Sequence, residues 1–228
     1  MKDKNDALAK IATDRQRTNL LKKYEQNLIA FLVVRIPKFI SSNTLTAIGL
    51  CGSIVTALGF ILAKYVHPAL LLLGIVGFAV NWFGDSLDGR LAYYRNKPRK
   101  WYGFSLDFVV DWLTIILIGL GYIVYVGGEW ELLGFCFVVL YGWSMMMALL
   151  KYKITNKYEI DSGLFSPTEV RIVLCLILAA EVIWQGSIIF SSAFACVFLC
   201  IVNIIDFLKL LKSADQRDKD DKQATKQD

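Results

Sequence analysis

Long apolar blocks alternate with short polar links along most of this chain. The blocks cover roughly residues 44–65, 69–88, 102–126, 130–150, 167–184 and 188–211. About twenty apolar residues in a helix, rising about 1.5 Å each, match the ~30 Å hydrocarbon core of a bilayer. The punctuation is helical. Ser41 or Ser42 is placed to cap the first block, and Gly127-Gly128 breaks the third from the fourth. Ser166-Pro-Thr-Glu169 has the form of a capping box with proline at the first helical position. The second block is expected to continue as helix past the membrane surface to Tyr94, before the basic loop Arg95–Lys100. Upstream, the stretch from Tyr24 to Ile40 mixes charged residues with Leu28, Ile29, Phe31, Leu32 and Ile36. That pattern suits an amphipathic helix lying on the membrane surface, although a helix packed on a protein face has the same signature. The expected fold is therefore an all-α integral membrane protein of six transmembrane helices with an N-terminal interfacial helix. Residues 1–42 form the cytoplasmic N-terminal segment, 43–211 the membrane domain, and 212–228 a charged tail without aromatics, expected to be disordered.

Composition sharpens this reading. Hydrophobic residues make up 56% of the chain, above the usual fraction of a soluble domain. No apolar region follows a short basic start, so no cleaved signal peptide is expected. The cysteines number five, all inside apolar blocks, and show neither a disulfide framework nor metal-ligand spacing. The net charge of +5 gathers in links beside the apolar blocks, which argues against a nucleic-acid partner. Lysine and arginine number nine before Asn43, one in the next link, then five, none, three, none, and six from Lys209 onward. The alternation implies, by the positive-inside rule, cytoplasmic termini and a cytoplasmic face for the link after the second block.

That link is flanked by four acids: Asp85 and Asp88 before it, Asp107 and Asp111 after it. At 100° per residue, the first pair lies about 60° apart on one helix and the second about 40° apart on the next. Gly89 and Ala92 share the face of the first pair. Two such pairs on adjacent antiparallel helices converge on one point, and carboxylates so gathered repel unless a cation joins them. Hard oxygen ligands suit Mg²⁺ or Mn²⁺. Other readings of the same residues are interfacial acids paired with Arg90, Arg95, Arg99 or Lys100, or the ion pathway of a transporter. The lone histidine, His67, lies in a link and takes no role.

The stretch resembles the CDP-alcohol phosphotransferase family, whose pattern is D-x2-D-G-x2-A-R-x8-G-x3-D-x3-D. Here it reads Asp85, Asp88, Gly89, Ala92, Gly103, Asp107, Asp111, with Tyr93 where the family has arginine and one extra residue before Gly103. The resemblance implies a membrane transferase, in a bacterial inner membrane, that attacks the pyrophosphate of a CDP-linked substrate and releases CMP. It makes Asp85, Asp88 and Asp107 ligands of Mg²⁺ or Mn²⁺, with Asp111 completing the cluster or acting as general base. Asp88, Gly89, Ala92, Tyr93 and Gly103 would face the nucleotide, with Arg95 standing in for the missing arginine. Arg171, Lys151 and Lys153 are candidates to meet an anionic acceptor. Two substrate assignments stay open. In one, CDP-diacylglycerol is offered to a small polar alcohol such as inositol phosphate or glycerol phosphate; in the other, a CDP-amino-alcohol is offered to a lipid hydroxyl. Family members often form homodimers.

Overall fold

Apolar runs bounded by serine and glycine fold here as helices, and every regular element among the described residues is helical. The computed structural model describes residues 22–155 and 167–224. Ser166, the expected cap, lies outside them. Helix α1 spans Lys22–Val33, α2 Ser42–Tyr65, α3 Leu71–Tyr94, α4 Lys100–Val126, α5 Leu132–Thr155, α6 Pro167–Ile183 and α7 Ser187–Ala224. Ser41 caps α2 as expected, its hydroxyl accepting from the Thr44 N–H at 3.1 Å. His67 caps the short 3₁₀ turn Pro68–Leu70, its Nδ1 accepting from the Ala69 N–H. Gly127 and Gly128 both sit at positive φ, which breaks α4 from the next turn where a side chain would be strained.

Among the described residues, five stretches are long and apolar enough to cross a membrane: Ser42–Tyr65, Pro68–Tyr94, Lys100–Val126, Gly128–Thr155 and Ser187–Gln223. Their outward faces carry large bare apolar side chains, among them Phe190 and Phe194, both more than 70% exposed. Patches of this kind on several helices fit a lipid environment, and the chain is an all-helical, multi-pass membrane protein. The expected fifth crossing, α6, has 17 residues. At about 1.5 Å per residue it is ~25 Å long, short of the ~30 Å core.

The principal packings form a closed circuit: α2 on α3, α3 on α6, α6 on α7, α7 on α5, α5 on α4, and α4 back on α2. The tightest crossing is α2 with α3. A Cβ added at Gly52 would collide with the backbone of Asn81, and one at Gly84 with the backbone of Gly49. Without side chains there, the two backbones approach closely, as small residues permit in membrane helices. An apolar core of Phe60, Leu71, Phe78, Ile115, Ile118 and Leu178 fills one end of the circuit.

Two expectations change. The N-terminal helix buries Ile29, Ala30 and Val33 against Leu45, Leu87 and Leu91, so its apolar face meets protein while Leu28 and Phe31 stay exposed. The tail beyond 211 is helical to Ala224 rather than disordered. It is extended by strong helix formers and by pairs one turn apart, Asp215 with Lys219 at 2.7 Å and Arg217 with Asp221 at 3.9 Å. Arg217 also donates to the carbonyls of Lys153 and Ile154, which ties the tail to the end of α5.

Candidate functional site

The two acid-bearing helices both pack on α2. Helix α4 packs principally on α2, and the four aspartates meet between α3 and α4 beside it. Asp85, Asp88, Asp107 and Asp111 line one small void of about 10 Å³, together with Thr46, Gly49, Asn81 and Val110. That is close to the space one water occupies. All but Gly49, Thr46 and Val110 also line a larger cavity of about 150 Å³, reached by Tyr93, Arg90, Tyr141 and Arg171 and walled by Phe78, Phe104 and Phe137.

Each acid is held differently. Asp88 is 3% exposed. Its Oδ2 accepts from the Thr46 hydroxyl at 2.6 Å and its Oδ1 from the Gly89 N–H, while Ser42 donates to its carbonyl at 2.6 Å. Asp85 accepts from Arg171 at 2.7 Å, in a pair whose side chains are 14% (arginine) and 30% (aspartate) exposed. Asp111 has no hydrogen-bond partner among the described residues, and its carboxylate borders both spaces. Asp88 lies within range of the charges of Asp85 and Asp107, and Asp111 within range of the other three acids and of Arg171.

As the side chains stand, no three acids, cysteines or histidines among the described residues converge as a formed metal centre. Asp85 is turned to arginine and Asp88 to hydrogen-bond donors, which explains the looseness. The donor set nevertheless fits a hard divalent cation, because four carboxylates border one ion-sized void.

The expected nucleotide face is partly assembled. Gly89 and Tyr93 line the cavity. A Cβ on Gly89 would meet nothing within 4 Å, so this glycine serves open space and not helix packing. Gly103 is similarly unobstructed but, like Ala92, lies off the cavity wall. Arg95 is a correction. Its guanidinium donates to the carbonyls of Ile36 at 3.2 Å, of Pro37 at 2.9 Å and of Ile40. It follows the last residue of α3, and its side chain fastens the α1–α2 connection. Of the acceptor candidates Arg171 reaches the cavity, whereas Lys151 and Lys153, at the end of α5, do not.

Several site residues escaped the sequence reading. Ser42, Thr46, Gly49 and Ser53 form a small polar stripe at helical spacing on α2, a signal visible in the sequence. Asn81 stands one turn before Asp85 and is 2% exposed. Tyr141 gave no signal inside its apolar block, yet it lies within range of the charges of Asp111 and Arg171. Glu25 of α1 also borders the cavity and accepts from Thr168 of α6 at 2.8 Å.

No protein-family model matches the chain, and no curated protein matches it.

Proposed function

We propose that this chain is a membrane-embedded CDP-alcohol phosphotransferase that moves a phosphatidyl group from CDP-diacylglycerol to a small polar alcohol and releases CMP. The observation that carries the reading is the meeting of Asp85, Asp88, Asp107 and Asp111 on one void beside a larger cavity. Asp85, Asp88 and Asp107 are the residues to hold Mg²⁺ or Mn²⁺, and Asp111 borders the same void. Such an ion, when bound, supplies neutralising charge for a pyrophosphate.

The chain's own groups account for the rest. Asp111 has lone pairs that no described residue occupies, so it takes the proton of the acceptor hydroxyl. The hydroxyl oxygen then bonds to the lipid-side phosphorus as the P–O bond to CMP breaks. Gly89 leaves space for the nucleotide against α3. Arg171, on the cavity wall, meets a phosphate or other anion on the acceptor after exchanging its bond to Asp85. The phenylalanines along the cavity give the lipid an apolar surface. In this reading α6 counts as a sixth crossing, both termini are cytoplasmic, and the site opens to the cytoplasm of a bacterial cell.

The test is CMP release by purified protein in detergent with Mg²⁺. CDP-diacylglycerol is offered with a panel of polar alcohols, and CDP-choline and CDP-ethanolamine with diacylglycerol or ceramide. Release should require CDP-diacylglycerol and one acceptor, and fall by about 10²-fold or more in Asp111→Asn. Release only from a CDP-amino-alcohol would reverse the substrates. Failure of every CDP nucleotide to bind would end the transferase reading and favour an ion pathway through the acids.

A further inference from the structure

Asn81 is buried to 2% exposure on α3, one turn before Asp85, and its amide is half used. The nitrogen donates to the Gly49 carbonyl at 3.1 Å and to the Ser53 hydroxyl at 3.0 Å. A backbone carbonyl only accepts, so the amide cannot be turned round without placing two acceptors together. The orientation is thereby fixed, and Oδ1 is left buried without a hydrogen-bond partner. An orphaned buried acceptor costs about 1–3 kcal/mol, so its retention calls for an occupant.

The surroundings say what kind. Asn81 borders the same void as the four aspartates. The side-chain donors on that wall are the Thr46 hydroxyl, spent on Asp88 and Ser42, and the Asn81 amide nitrogen, spent on Gly49 and Ser53. With those donors spent, the polar side-chain atoms left on the wall are the carboxylate oxygens and Oδ1, all acceptors. A wall made of acceptors repels anions and satisfies a cation.

We propose that Asn81, through Oδ1, is a neutral oxygen ligand of the divalent cation held by Asp85, Asp88 and Asp107, oriented in advance by Gly49 and Ser53. The inference rests on the cation assigned in the preceding section. A neutral oxygen beside four carboxylates tightens the site without adding to their mutual repulsion.

The test reads metal binding and needs no turnover. Mn²⁺ binding to the detergent-purified chain is followed by electron paramagnetic resonance, for the parent, Asn81→Ala and Thr56→Ala. Thr56 bridges α2 and α3 by donating to Gly52 and Gly74 away from the void, so its variant controls for loosened packing of the same helix pair. Asn81→Ala should weaken Mn²⁺ binding by about tenfold or more. Thr56→Ala should stay within about twofold of the parent. Equal Mn²⁺ binding by parent and Asn81→Ala would overturn this inference and leave the aspartate site standing. Absence of Mn²⁺ binding by the parent would overturn both. Should Asn81→Ala fail to fold, the parent with Mn²⁺ decides by anomalous diffraction. Metal within about 2.5 Å of Oδ1 supports the ligand, and metal on the aspartates away from Oδ1 refutes it.

Discussion

Gly84 and Gly89 lie on the same helix, yet their missing side chains serve opposite ends. A methyl at 84 would enter the backbone of α2, and a methyl at 89 would enter open space. Gly84→Ala should therefore lower thermal stability in detergent by roughly 1–3 kcal/mol, the usual cost of overpacking. Gly89→Ala should leave the unfolding temperature unchanged and raise the KM for the CDP substrate. A drop in stability at 89, or none at 84, would show the two roles misassigned. Only part of this was legible in the sequence. The spacing of the four aspartates gave their faces, because helical geometry is fixed by residue number alone. It did not give Tyr141 or the partnerless oxygen of Asn81, which depend on how three helices meet. Arg95 stands one residue past the end of α3, where its guanidinium meets the α1–α2 connection and not the cavity wall, a placement the sequence did not signal.

At the scale of elements, the turn from α6 to α7 is built around Glu181, 2% exposed. Its carboxylate accepts from the N–H groups of Gly186 and Ile188 at 2.9 and 2.8 Å, from Ser187 at 3.2 Å and from Tyr125 at 2.9 Å. A side chain from the preceding helix thus satisfies the free N–H groups that open α7 and places negative charge at the positive end of its dipole. Glu181→Ala strips several buried groups of their partner at once, each worth about 1–3 kcal/mol. Thermal unfolding should fall by several degrees or more, with Mn²⁺ affinity of any protein that remains folded retained. The helical blocks themselves were legible because twenty apolar residues in lipid leave few alternatives. The charged tail was not. Composition predicted disorder, while its acid–base pairs at one-turn spacing and its tie to α5 extend the helix.

For the whole molecule, the number of crossings decides where the ends lie. With α6 as a sixth crossing, reporter tags fused to the two termini should be accessible from the same, cytoplasmic side. Tags on opposite sides would return α6 to a helix that does not cross. The circuit of packings supports the crossing, since α6 is the piece that joins α3 to α7 and brings Arg171 to Asp85.

The circuit also has a direction in time. Helices α2, α3 and α4 precede α6 in the chain, so all four aspartates leave the ribosome before Arg171 does. At about 5–20 residues per second, the interval from Asp111 to Arg171 lasts on the order of ten seconds or less. During it the young α2–α3–α4 assembly carries its acids without the arginine that pairs with Asp85 in the finished protein. Until Arg171 arrives, the charge that offsets Asp85 has to come from protons, dissolved ions or other side chains.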